Sequence, residues 1–257
     1  MRQVNILFDR SWTESLPVYA WAIETPEGVI VVDTGETART REPGYFPRWH
    51  PYFRFAVRLD VSPEQEVGPQ LLKHGIRPDD VRTVILTHLH TDHAGGLHHF
   101  PRSEILVSDE ELKLAKGFAG QLRGYLPNRW PRWFAPRSIV FEPKAIGPFD
   151  RSHKVTTDGT VVIVPTPGHT PGHVSVVVMD GDVNYFLAGD TTYTQQSLVQ
   201  EEVDGVSPSE AVSLQTMRRI VQYGRSQPMV YLPAHDPESK HRLENRITVR
   251  VSQDVTE

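Results

Sequence analysis

The chain contains no cysteine. This excludes disulfides, thiolate nucleophiles, iron–sulfur clusters and thiolate zinc sites together, so any metal must rest on nitrogen and oxygen ligands. Long apolar runs are also missing. The most apolar stretches, such as Val174–Met179, have the length of a strand and are too short to cross a bilayer. Met1 to Trp12 carries Arg2, Asp9 and Arg10 and no apolar run, which argues against a secretory signal. A cytoplasmic location without membrane partners is therefore expected. Nor is there an excess of positive charge: 27 Lys and Arg against 32 Asp and Glu give a net charge of −5. That balance argues against a generic nucleic-acid binder and leaves only local basic patches open.

The chain does have length and histidine. Its 257 residues, 38% hydrophobic and 23% charged, suffice to bury a core in one large or two small domains. Apolar runs predict strands at Val18–Ile23 and Val29–Val32 around the turn Pro26-Glu27-Gly28. Further strands are expected at Val81–Thr87, Glu104–Val107, Thr160–Val164 and Met229–Leu232. Val174–Met179 and Val183–Ala188 read as a hairpin about Asp180-Gly181-Asp182. Ser62-Pro63-Glu64-Gln65 predicts a capped helix running to His74 and stopped by Gly75. Asp109–Lys116 predicts another. Ser207-Pro208-Ser209-Glu210 repeats the capping pattern before an apolar stripe of Val212, Leu214, Met217, Ile220 and Val221 that stops at Gly224. Strands alternating with capped helices indicate an α/β or α+β class.

Two windows stand apart. Arg39–Arg58 holds five arginines, one acid and the aromatics Tyr45, Phe46, Trp49, Tyr52, Phe53 and Phe55. Gly117–Arg137 holds four arginines, no acid, and Phe118, Tyr125, Trp130, Trp133 and Phe134. Concentrated arginine and aromatic side chains suit a substrate groove, the interface of a homodimer, or both.

Four apolar strands are followed within a few residues by a His or Asp: His88, His169, Asp190 and His235. Side chains at strand ends can converge on one sheet edge, where rigid backbone sets their positions. His88-Leu89-His90-Thr91-Asp92-His93 places four candidate ligands in six residues. Imidazole with carboxylate suits zinc, and also cobalt, manganese or iron. His88, His90 and His169 can hold one ion and Asp92, His93 and His235 a second, with Asp190 between them. A bridging hydroxide, which a metal pair generates near neutral pH, fits the remaining space. His50, His74, His98, His99, His153 and His241 read as ordinary surface histidines, and His173 as a residue packing the His169 loop.

The run His88 to His93 resembles the HxHxDH signature of the metallo-β-lactamase superfamily. Val32-Asp33-Thr34-Gly35, Thr166-Pro167-Gly168-His169, Gly189-Asp190 and Ala234-His235 match its other elements in order. The resemblance implies an α+β fold, the four-layer αβ/βα sandwich with two mixed β-sheets, as one hydrolase domain over residues 1–257. It also implies two divalent metals, zinc by default, on His88, His90, Asp92, His93, His169, Asp190 and His235. Within the superfamily the chain looks most like the quorum-quenching N-acyl homoserine lactonases. The features are Leu16-Pro17-Val18 and Asp190-Thr191-Thr192-Tyr193, where the family's Tyr contacts the substrate carbonyl.

On this resemblance the expected reaction is opening of an N-acyl-L-homoserine lactone by a metal-bridging hydroxide. Tyr193 would stabilise the oxyanion, Asp92 would deliver a proton to the leaving alkoxide, and Asp33 would brace the His loop. The alternatives are another lactone or ester (γ-butyrolactone, aryl or pyridine-fused), a glyoxalase II-like thioesterase, or a nucleic-acid-processing relative. The glutathione-binding helical region of glyoxalase II has no counterpart here, and the absence of cysteine argues against β-lactamases with a Cys ligand.

Overall fold

The computed structural model describes residues 13–250. Met1 to Trp12, where a secretory signal was argued against, lies outside them. Contacts divide the chain into two compact units: Val18–Ile139, and Ser15–Pro17 with the residues from Val140 onward.

The first unit grows from a hairpin. β1 (Trp21–Thr25) pairs antiparallel with β2 (Gly28–Val32), Thr25 opposite Gly28. Gly28 closes the Pro26-Glu27 turn at φ +118, a conformation that L side chains rarely adopt. The strand expected from Val18 enters the ladder only at Trp21. Parallel strands β3 (Val81–Ile85), β4 (Glu104–Val107) and β5 (Arg137–Ser138) follow in the order β1-β2-β3-β4-β5. Val31, Val84, Leu86, Leu97, Phe100, Ile105 and Val107 form the buried core on this sheet.

The helix expected from Ser62 is broken. A single turn at Pro63–Gln65, with Gln65 Oε1 accepting from the Ser62 N–H at 2.8 Å, gives way to extended backbone at Glu66 (ψ 154) before α1 (Val67–Lys73) begins. Glu66 turns its carboxylate onto the Thr37–Ala38 backbone and side chain, which overrides helical continuity. After β3 come α2 (Thr91–Ala94) and a 3₁₀ turn, Gly95–His99. α3 (Asp109–Leu114), capped by Ser108 Oγ accepting from the Glu111 N–H, and α4 (Gly117–Leu122) complete the unit.

In the second unit five strands form the other sheet, in which strands consecutive in the chain are neighbours. β6 (His153–Lys154), β7 (Val161–Pro165), β8 (Val174–Asp180) and β9 (Val183–Gly189) run antiparallel, and β10 (Met229–Pro233) joins β9 in parallel. A short helix, α5 (Gln195–Val199), precedes α6 (Glu210–Ser226), and α7 (Ser239–Glu244) follows β10.

α6 starts from Ser209, two residues beyond the expected cap. Asp204 Oδ1 accepts the Val206 and Ser207 N–H groups and holds that segment in a turn. Gly224 does not stop the helix. It is a packing glycine, because a Cβ there would stand 2.9 Å from Met229 Cε. Met217, Ile220 and Tyr223 bury against Phe149, Phe186 and Tyr231, whereas Val212, assigned to the same stripe, is exposed. Each large apolar side chain so buried contributes about 1.5–3 kcal/mol.

Among the described residues no helix is long and apolar enough to cross a membrane.

Candidate metal centre

In the first unit, the ends of β2 and β3 set the site. Asp33, just past β2, has a left-handed backbone (φ 60), which Asp tolerates better than most residues. Its carboxylate accepts from the Thr87 N–H at 2.8 Å, from the Thr87 hydroxyl at 2.9 Å, and from His93 Nδ1 at 2.8 Å. The Asp33 bracing expected from the sequence is therefore present atom by atom.

These partners assign the imidazole protons. The Thr87 hydroxyl spends its one proton on Asp33, so toward His88 it accepts, from Nδ1 at 3.1 Å. His88 Nε2 then carries the lone pair. His90 Nε2 donates to the Arg123 carbonyl at 3.2 Å, which puts the lone pair on His90 Nδ1. The two lone-pair nitrogens stand 3.0 Å apart. Facing lone pairs at that distance repel unless a cation lies between them, as for two ligands of one ion. His93 keeps its Nε2 lone pair because Nδ1 donates to Asp33, and Asp92 Oδ2 lies 3.9 Å from that nitrogen.

The second unit presents its own set. His169 Nδ1 donates to Asp204 at 3.0 Å, and His235 Nδ1 donates to the Pro17 carbonyl at 2.9 Å. Their Nε2 lone pairs stand 3.5 and 3.3 Å from one oxygen, Asp190 Oδ2. A carboxylate oxygen between two lone-pair nitrogens again fits a cation. In each unit the imidazoles turn their protons away and stand beside a carboxylate, a donor chemistry that suits divalent metal ions. Burial works to raise the pKa of Asp204. The hydrogen bond from His169, with those from Ser207, outweighs burial and holds it below the usual carboxylate range. The Tyr193 ring stands edge-on to His235, centroids 5.3 Å apart, and 6.2 Å from His169.

His173 packs the loop as expected. It accepts the Asp190 N–H on Nε2 at 3.0 Å and contacts the Thr166 hydroxyl through Nδ1, which orients the backbone of Asp190. Three of the histidines read as ordinary surface residues behave otherwise. His50 is buried, and His98 and His99 both meet Glu66.

Several residues escaped the sequence reading. Glu111 accepts from the Leu89 N–H and the Tyr125 hydroxyl and so holds the His88–His90 loop. Asp204 lies 35 residues from the histidine it orients. Asp236 anchors Arg242 and the Gln195 N–H. Buried Glu36, bonded to the Thr37 N–H and the Thr91 hydroxyl, has its pKa pushed up to about 8, by burial first and by the charge of Asp92. None of these pairings has a fixed spacing, so no local signal points to them.

The Metallo-beta-lactamase superfamily pattern matches residues 14–235. The chain belongs to that superfamily. Its two mixed five-stranded sheets with helices are the superfamily's fold, as the resemblance implied. The N-acyl homoserine lactonase AttM of Rhizobium radiobacter is 27% identical over 235 residues, 87% of this chain and 83% of AttM. A probable metallo-hydrolase of Mycobacterium tuberculosis is 32% identical over 181 residues, 68% of this chain and 57% of its own length. A solved N-acyl homoserine lactone hydrolase, with the product N-hexanoyl-L-homoserine bound at its catalytic metal center, matches with a TM-score of 0.69. It is 24% identical, and the match covers 93% of this chain and 89% of the other. With relatives so named, this superfamily member is a metal-dependent hydrolase.

Proposed function

We propose that the two units act as one hydrolase domain that opens the ring of N-acyl-L-homoserine lactones. The observation that carries this reading is the match to lactonases over most of the chain together with Tyr193 set against His169 and His235. His88, His90 and His169 would hold one divalent ion and Asp92, His93 and His235 the other, with Asp190 shared; zinc suits this set, and cobalt, manganese or iron are the alternatives. When bound, such ions supply Lewis acidity toward a carbonyl oxygen and lower the pKa of water toward neutrality.

The protein's own groups do the rest. The Tyr193 hydroxyl donates to the carbonyl oxygen as negative charge develops on it, a contribution of about 3–4 kcal/mol for one donor. Asp92 carries a proton to the ring oxygen as it leaves. Asp33, Asp204 and the Pro17 carbonyl hold His93, His169 and His235 in the required tautomers.

The two Arg- and aromatic-rich windows pack together within the first unit. Arg129 donates to the Tyr45 carbonyl at 2.8 Å and lies over its ring, and the Trp49 and Phe118 rings are 5.1 Å apart. Trp49, Phe55, Phe118 and Leu122 remain exposed. This apolar surface suits an acyl chain.

The test is elemental analysis of purified protein followed by pH-stat hydrolysis of homoserine lactones of graded acyl length. A γ-butyrolactone, an aryl lactone and a glutathione thioester serve as competing arms. Hydrolysis of the acyl homoserine lactones that disappears with a chelator supports the reading. A fully loaded enzyme that ignores them, or that is indifferent to chelation, ends it.

A further inference from the structure

Glu66, His98 and His99 lie together within the first unit and share no residue with the ligand groups assigned above. Glu66 sits in the break before α1, and both histidines close the Gly95–His99 turn. Glu66 Oε1 is tied down, accepting from the Ala38 N–H at 2.7 Å and the Thr37 hydroxyl at 3.1 Å. Oε2 takes neither of these. Instead it meets His98 Nε2 at 3.1 Å and His99 Nε2 at 2.6 Å.

The proton count around His98 does not close with a neutral ring. Its Nδ1 faces the Gly95 carbonyl at 3.3 Å and its Nε2 faces a carboxylate. Both partners are acceptors, and a neutral imidazole has one N–H. One positive charge placed among these groups would satisfy all of the contacts. A proton on His98 is one source of it and a metal ion is another; the His98 and His99 rings stand 4.0 Å apart between centroids, and both turn Nε2 to the same oxygen, Glu66 Oε2. Burial, moreover, already draws the His99 pKa below its ordinary value.

The pocket is also shaped for the ring. A Cβ on Gly68 would overlap the His99 imidazole, so glycine at this point of α1 is what admits it. One ligand atom from each of the three residues lies within 4.8 Å of the others. Ligands about 2.0–2.1 Å from a tetrahedral zinc stand roughly 3.3 Å apart, so the group needs only a small opening to admit an ion.

We propose that Glu66, His98 and His99 form an additional divalent-metal site of the zinc class, separate from the catalytic set. A single ion there satisfies both imidazoles and the carboxylate at once. His98, partly exposed, gives access from solvent, and the fourth position is left to water. The role is structural: through Glu66 the ion ties Thr37 and Ala38, which lead into the first Arg- and aromatic-rich window, to the turn that follows α2.

The experiment uses full-length protein stripped with a chelator and titrated with Zn²⁺, bound metal being counted by elemental analysis after gel filtration. His98→Ala and Glu66→Gln are compared with wild type. His98 is a surface residue whose loss leaves the core intact. Each variant is expected to bind one equivalent fewer than wild type. Because the readout is that difference, it holds whatever number the catalytic set binds. A His88→Ala/His169→Ala protein, impaired in the catalytic set, should still lose one equivalent on adding His98→Ala. Equal stoichiometry in wild type, His98→Ala and Glu66→Gln overturns the site and leaves a protonated His98–Glu66 pair as its explanation.

Discussion

Asp33 Oδ2 and His93 Nδ1 are 2.8 Å apart, both fully buried, and their bond decides which nitrogen of His93 keeps its lone pair. Asp33→Asn preserves a residue that tolerates φ 60 and removes the negative charge that selects this tautomer. Metal affinity should fall about 10–100-fold, as for other groups that orient a ligand. Titration of the chelator-stripped variant measures it, and an unchanged affinity would show that Asp33 is merely a folding residue.

Tyr193→Phe keeps the ring against His235 and deletes the hydroxyl. The expected loss in kcat is about 10²–10³-fold, the usual effect of one oxyanion donor. Bound metal should not change. Loss of metal, or an unaltered rate, would contradict the role given to Tyr193.

Glu36 makes stability depend on pH. Its carboxyl is raised from 4.5 to about 8, chiefly by burial, so the fold favours the neutral acid. Below about pH 4.5 the folded and unfolded chains both hold the proton. From there to about pH 8 the unfolded chain ionises first, and stability is progressively lost. Glu36→Gln, always neutral, should nearly match wild type at pH 4.5 and exceed it by on the order of 4 kcal/mol at pH 8. Urea unfolding of chelated protein at the two pH values tests this. A difference that does not grow with pH would refute it.

Ile220 is fully buried on α6 with Met217, Phe186 and Tyr231. Ile220→Ala should cost about 2–5 kcal/mol in transfer and cavity terms. Chemical denaturation reports the change. A loss under about 1 kcal/mol would mean that the second unit's core relaxes around the gap.

Much of this was legible in residue order. β4 is the expected Glu104–Val107, and the hairpin of β8 and β9 turns where Gly181 (φ 65) stands. Apolar runs bounded by turn residues signal strands because burial and backbone conformation are local properties. The same holds for chemistry: His88, His90, Asp92 and His93 announce metal binding because their spacing on one turn is itself the signal.

Tertiary structure decided what depends on partners distant in the chain. Asp204 reaches His169 across 35 residues and Glu111 reaches Leu89 across 22. Glu66 breaks a helix whose local capping was sound, because the Thr37–Ala38 segment offers its carboxylate better partners than another helical turn does. Order along the chain singled out the candidate ligands. Only folding determined where their protons sit, since a tautomer is set by the atom facing the ring.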